Sequence, residues 1–253
     1  MSYAICIVPV APMRTLHDHR AEMSSQVLFG EQVKIISLAD EGWALVECCI
    51  DKYVGCCRLN QFLIIEKMME PAFEYSADWL QEIYVNDQLL KIPLASDLSL
   101  LKAKLPSLRI SYKGNVLSAT QEKFDLQNII TLSRPYLNTA YLWGGRSVFG
   151  IDCSGFAQAV FKMMNIILPR DANQQVNEGE GIGFLAEVKC GDLAFFDDEE
   201  GKIVHVGILL NASQIIHSSG NVRIDSIDSE GIVNTSTGKR THKLRVIKRI
   251  KEY

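Results

Sequence analysis

Gly150-Ile-Asp-Cys-Ser-Gly-Phe-Ala-Gln-Ala-Val-Phe-Lys-Met-Met164 is the stretch on which the reading of this chain turns. A glycine-bearing loop runs into a segment with Phe156, Ala157, Val160 and Met164 on one stripe, which predicts a core helix from about Cys153 to Asn165. Cys153 stands at the start of that helix. Unpaired N–H groups and about half a positive charge there favour thiolate over thiol. A lone cysteine at such a place is more often a packing residue, so its partners must decide.

Upstream, Ser118 and Gln121 have capping-box spacing, and Phe124, Leu126, Ile129, Ile130 and Leu132 form a helical face. A helix is therefore expected from near Ser118, kinked or ended by Pro135. Downstream the period changes to two in Asp192-Leu-Ala-Phe-Phe196, Ile203-Val-His-Val-Gly-Ile-Leu-Leu210, Gln214-Ile-Ile-His217 and Leu244 to Ile250. Helices followed by antiparallel strands describe an α+β domain over residues 118–253.

The first 68 residues read differently. A strand-like start before Pro9 is followed by the runs Val33-Lys-Ile-Ile-Ser-Leu38, Trp43-Ala-Leu-Val46, Tyr53-Val-Gly55 and Phe62 to Ile65. Breaks at Asp40-Glu-Gly42 and Asp51-Lys52 make this a β-meander, the size of a small SH3-like barrel. Residues 69–117 are punctuated by Pro71, Pro93 and Pro106 and read as a connector or a degenerate second module of that kind.

Bulk properties narrow the classes. With 253 residues, 47% apolar and 22% charged, the chain has room for two domains and a real core. A net charge of −4 gives no global attraction to nucleic acid, and no run reaches the ~18 apolar residues of a membrane span. The apolar start has no Lys or Arg before Arg14 and is broken by Pro9 and Pro12, so it reads as a strand rather than a signal peptide. Seven cysteines, two pairs of them adjacent (Cys48-Cys49 and Cys56-Cys57), fit reduced thiols in a cytoplasm. A processed, secreted or periplasmic form stays open. Adjacent strand residues face opposite ways, so those pairs do not converge as zinc ligands, and no metal or organic cofactor is expected.

A thiol nucleophile needs an imidazole, and the imidazole needs a third group to orient it. Of five histidines, His17 and His19 lie in the first loop and His242 beside a basic terminal strand, leaving His205 and His217. In a hairpin looped by Asn211-Ala-Ser213, residues whose numbers sum to 424 lie opposite one another. His205 and His217 are then diagonal neighbours on one face, ~7–8 Å apart at the backbone. A two-residue loop would instead send them to opposite faces. Gly144-Gly145 reads as a tight turn with backbone close to a ligand.

Six motifs in order, Tyr141-Leu-Trp-Gly-Gly145, Asp152-Cys-Ser-Gly-Phe156, Arg170-Asp-Ala-Asn-Gln174, Gly191-Asp-Leu-Ala-Phe-Phe196, His205-Val-Gly-Ile208 and Ile216-His217, resemble the NlpC-type family of bacterial cell-wall cysteine peptidases. The resemblance spans roughly residues 120–250. It implies a papain-like fold and a catalytic set of Cys153, His205 and His217, with Tyr141 and the Cys153 backbone N–H stabilising the oxyanion. It further implies that Asp152, Ser154 and Asp171 line the substrate side and that Trp143 walls the pocket. The implied reaction is hydrolysis of the bond between γ-D-glutamate and a diamino acid, diaminopimelate or lysine, in peptidoglycan stem peptides. Ala172 departs from a serine common in relatives that trim free peptides. Glu22-Met-Ser-Ser-Gln-Val-Leu-Phe-Gly-Glu31 and Tyr53-Val-Gly55 resemble the bacterial SH3-like domain attached to many of these enzymes. That likeness implies that Glu22 and Tyr53 bind the free amino terminus of L-alanine. Another thiol amidase or acyltransferase on the same fold, or a non-catalytic binder of wall fragments, stands as the alternative, and the oligomeric state is open.

Overall fold

The computed structural model describes residues 2–103, 105, 108–119 and 126–250. Seven strands come first: β1 (Ser2–Cys6), β2 (Val10–Arg14), β3 (Met23–Leu28), β4 (Gln32–Leu38), β5 (Trp43–Cys48), β6 (Val54–Arg58) and β7 (Phe62–Ile65). They pair in the order β3-β2-β6-β5-β4-β1-β7 around a core of Ala4, Met13, Val27, Val33, Val46, Cys57 and Phe62. The meander from Gln32 onward is found as expected. β2 and β3 add to it from a stretch whose Pro9, Pro12 and polar residues hid the alternation.

Five short strands follow: β8 (Glu74–Ser76), β9 (Leu80–Val85), β10 (Gln88–Pro93), β11 (Ile110–Tyr112) and β12 (Val116–Ser118). They form a three-stranded and a two-stranded sheet. Ile83, Val85, Ile92, Leu98 and Leu100 from this stretch share a core with Ile5, Phe29 and Ile65, so the segment packs directly on the barrel.

α1 runs Leu126–Ser133 and stops just before Pro135, in a short 3-10 turn Arg134–Tyr136. Ser118 does not cap it. That residue closes β12, paired with Glu74, and the proposed cap partner Gln121 and Phe124 lie outside the described residues. β13 (Arg146–Ser147) and β14 (Gly150–Ile151) lead into α2 (Cys153–Lys162), and α3 (Ala172–Gln175) and β15 (Glu180–Ile182) come next.

The last sheet contains β16 (Leu193–Asp197), β17 (Ile203–Asn211), β18 (Gln214–Ser219), β19 (Asn221–Asp228), β20 (Gly231–Val233) and β21 (Arg240–Arg249). Consecutive strands pair antiparallel and β21 returns to β16, closing a six-stranded ring with β15 outside it on β21. This explains the unbroken apolar run of β16. Leu193 and Phe195 face the α2 core, whereas Ala194 and Phe196 join Leu209, Ile215, Ile227 and Ile247 in a second cluster.

Candidate active site

Asp152 starts the site. Its extended backbone makes it the N-cap of α2, and its carboxylate accepts from Gly155 N (2.7 Å), Gly144 N (2.9 Å) and Arg170 Nη2 (2.5 Å). Ser154 Oγ donates to the same carboxylate (3.2 Å) and accepts from Arg170 Nη1 (2.9 Å). Asp152 and Ser154 therefore stand in the cleft wall with their polar atoms committed to Arg170 and the helix start. The cap fixes the first turn of α2, and Cys153 with it.

Cys153 is 6% exposed, and the Val206 and Ser154 backbone amides stand near enough to its sulfur to favour the thiolate. Val206 is the next residue after His205, so the thiol rests on β17 beside the first histidine. Burial, and then the Asp152 charge, push the thiol up to about 12, against the small lowering from those two amides. The helix start was expected to favour thiolate; in the folded protein desolvation outweighs it.

His205 and His217 face each other as strand parity predicted. Ile208 pairs with Ile216 and Leu209 with Ile215, and an irregularity between Leu209 and Asn211 keeps this register despite the tight turn. His205 Nε2 lies 2.8 Å from His217 Nδ1, and the two rings are 5% and 1% exposed. Gly207 sits opposite His217 in that register. A Cβ at 207 would come within 2.9 Å of the His217 Cβ, so the glycine of His-Val-Gly is what admits the second ring.

Two residues escaped the sequence reading. Asp225, on β19, lies 3.1 Å from His217 Nε2. His242, set aside as part of a basic terminal strand, stacks on His205 with ring centroids 4.1 Å apart and planes at 24°. Burial, followed by the neighbouring His242 and His217, pushes His205 well below the ordinary imidazole range, and burial brings His242 down to about 4. His205, His217 and His242 place ring nitrogens within 4.8 Å of one another. Two ligands on tetrahedral zinc stand about 3.3 Å apart, so the 2.8 Å contact is a hydrogen bond between rings rather than a shared ion's geometry.

Above the thiol opens a cleft of about 470 Å³. Its walls include Tyr141, Trp143, Asp152, Cys153, Ser154 and Asp171 from the second half of the chain, and Glu22, Ser24 and Tyr53 from the barrel. Tyr141 is clamped by its own N–H to Gly220 O (2.9 Å) and by pairing with Ile151. Trp143 Nε1 donates to Glu22 Oε1 (2.6 Å), closing the cleft between the two modules. Asp171 caps α3 and lies near Tyr53; burial raises both groups.

Buried charge holds the barrel in this place. Arg170 Nε donates to Ser25 Oγ (3.1 Å). Glu31 accepts from Leu28 N (2.9 Å), from Arg146 (2.9 and 3.2 Å) and from Lys162 Nζ (2.6 Å), and Lys162 also donates to Ala95 O (2.8 Å). Gly144, expected near a ligand, instead lies against the barrel: a Cβ there would meet Met23 O at 2.3 Å.

Comparisons with known proteins bear on the two modules themselves. Residues 138–241 match the profile of the NlpC/P60 family, and residues 13–56 that of the bacterial dipeptidyl-peptidase SH3 domain. The chain carries an NlpC/P60 domain. Over 112 residues, 44% of the chain, it is 40% identical to the gamma-D-glutamyl-L-lysine dipeptidyl-peptidase of Bacillus subtilis, spanning 38% of that protein's length. Dipeptidyl-peptidase 6 of Lysinibacillus sphaericus is 26% identical over 259 residues, 90% of this chain and 92% of its own. An NlpC/P60 family protein from Bacillus cereus has the same fold throughout, with a TM-score of 0.80 at 19% identity, covering 98% of this chain and 99% of that one. Outside the NlpC/P60 domain, the barrel thus belongs to the same architecture. Among the described residues no helix is long and apolar enough to cross a membrane.

Proposed function

We propose that the protein is a cysteine peptidase that hydrolyses the γ-D-glutamyl bond to a diamino acid in free peptidoglycan stem peptides beginning with L-alanine. The observation that carries this reading is the cleft itself, where Cys153 from α2 and Glu22 and Tyr53 from the barrel line one space. Glu22 and Asp171 put acidic groups at the barrel end, which suits an ammonium group. The Trp143–Glu22 bond spans the two modules at that end, where a substrate's amino terminus would meet them. A substrate would enter with its amino terminus against the barrel and its γ-glutamyl carbonyl over the sulfur.

Cys153 and His205 start as a neutral pair, since burial holds the proton on sulfur and off the imidazole. As the sulfur attacks the carbonyl carbon, His205 takes the thiol proton, and the carbonyl electrons move to an oxyanion met by the Cys153 N–H and Tyr141. Collapse breaks the C–N bond, the departing amine takes the proton from His205, and a thioester remains on Cys153. Water, deprotonated by His205, then releases L-Ala-D-Glu and restores the thiol. The same reading places the reaction in a reducing compartment, to which seven free thiols are suited.

The test is incubation with L-Ala-γ-D-Glu-diaminopimelate and its lysine counterpart, followed by mass spectrometry. Release of L-Ala-D-Glu by the wild type and its loss in a folded Cys153→Ala variant are expected. No cleavage of either peptide, or cleavage that survives Cys153→Ala, would overturn the proposal.

A further inference from the structure

The peptidase reading gives Asp225 no task, although it is among the most buried carboxylates of the ring, 2% exposed. One of its oxygens accepts from Arg223 Nη2 (3.0 Å) and Thr235 N (2.9 Å). The other faces His217 Nε2 (3.1 Å) and pairs with Arg223 Nε (2.8 Å). Burial by itself would raise this carboxyl, but bonds from His217, Thr235 and Arg223 hold it well below the usual carboxylate range.

We propose that Asp225 is a positioning residue that acts through His217 to set the tautomer of His205, leaving His205 Nδ1 as the proton-accepting atom. The inference rests on the reading of His205 as the base for Cys153. An ionised carboxylate can only accept, so His217 Nε2 must carry the proton facing it. With that ring neutral, His217 Nδ1 is then a lone pair. It lies 2.8 Å from His205 Nε2, and a bond of that length needs one proton, which sits on His205. The remaining nitrogen of His205, Nδ1, is left bare for the thiol proton. When Nδ1 takes it, the imidazolium donates along the same two bonds toward a fixed negative charge, and no proton needs to leave either ring. His242 stacks on His205, but its Nδ1 is 2.9 Å from Thr241 Oγ1, outside the chain of bonds.

Asp225→Asn should invert the chain. Thr235 N and Arg223 Nη2 both donate to one oxygen, so the amide oxygen takes that position and Arg223 Nε, on a part-exposed side chain, must turn away from the amide nitrogen. The amide NH₂ then faces His217 Nε2, which must become the acceptor. His217 Nδ1–H donates to His205 Nε2, and the proton on His205 moves to Nδ1, where it blocks the base.

Long-range ¹H–¹⁵N correlation spectra of ¹⁵N-histidine-labelled protein at pH 8, with rings assigned by single replacements, read the tautomers without substrate. The wild type should show His205 protonated at Nε2 and His217 at Nε2, and Asp225→Asn should show both at Nδ1. Against the free-amine tripeptide the variant should lose about 10²–10⁴-fold in kcat with KM unchanged, because Asp225 does not line the cleft. His205 protonated at Nδ1 in the wild type would overturn the proposal even if the variant fails to fold. A folded variant that keeps both its tautomers and its kcat would overturn it as well. If the wild type cleaves no stem peptide, the proposed reaction fails, while the spectra still decide the role of Asp225.

Discussion

Glu31→Gln tests how the two halves of the cleft are held together. Glu31 is 4% exposed, and the substitution leaves Arg146 and Lys162, both buried, facing an uncharged amide. Burial alone would raise the Glu31 carboxyl, yet Arg146 and Lys162 bring it from 4.5 down to about 2. Through linkage that lowering is worth about 3 kcal/mol at neutral pH. Removing one partner of a buried ion pair costs ~3–5 kcal/mol, which agrees. Because the folded value lies below the unfolded one, the contribution is complete above about pH 4.5 and is lost as the pH falls toward 2. Urea denaturation at pH 7 should show Glu31→Gln less stable by about 3 kcal/mol, a fall of about 6–12 °C in Tm for a chain of this size. The gap should narrow in acid. Since Glu31 seats the barrel on α2, KM for a free-amine peptide should rise as well. A gap below about 1 kcal/mol, the worth of an exposed pair, or one that ignores pH, would refute the reasoning.

Other expectations follow from single contacts. Gly144→Ala must hold a Cβ at φ +74°, 2.3 Å from Met23 O, so it should lose about 1–3 kcal/mol and weaken peptide binding, read by Tm and KM. The rate of Cys153 alkylation by iodoacetamide should keep climbing from pH 7 to 10, as befits a thiol pushed up to about 12; a plateau near neutrality would mean a preformed thiolate. His205 and His242 both titrate below the ordinary 6.5 when folded. The unfolded chain therefore takes up their protons first, and stability should fall as the pH drops below about 6.5 and on toward 4, with a shallower fall in His242→Phe by thermal melting.

Much of the catalytic half was legible because its signals are local. The glycine loop before Cys153, the stripe behind it and the two-residue period around His205 and His217 each lie within a few residues. Asp225 was hidden for the opposite reason. In Asn221-Val-Arg-Ile-Asp-Ser-Ile-Asp228, the alternation of Val222 and Ile224 assigns Arg223 and Asp225 to solvent, whereas Asp225 is buried and Ile224 is 40% exposed. A buried functional carboxylate breaks the binary pattern used to place the strand. His242 lay in a run of basic residues that resembles any solvated face, and only closure of the ring by β21 brings it to His205. The Glu31–Arg146–Lys162 cluster spans three parts of the chain, and nothing near any of them distinguishes a charge that will be buried. Gly144-Gly145 read as a tight turn with backbone near a ligand, but what Gly144 meets is the backbone of Met23, 121 residues away in the barrel.

The central claim is that two modules build one site that reads a free amino terminus. It is tested most directly by the ratio of kcat/KM for L-Ala-γ-D-Glu-diaminopimelate to that for its N-acetylated form. Glu22 is an exposed carboxylate, and losing a charge pair of that kind costs up to about 1 kcal/mol, so the free amine should be preferred by about 5-fold, and Glu22→Gln should shrink the preference. Equal cleavage of the two peptides would contradict the account.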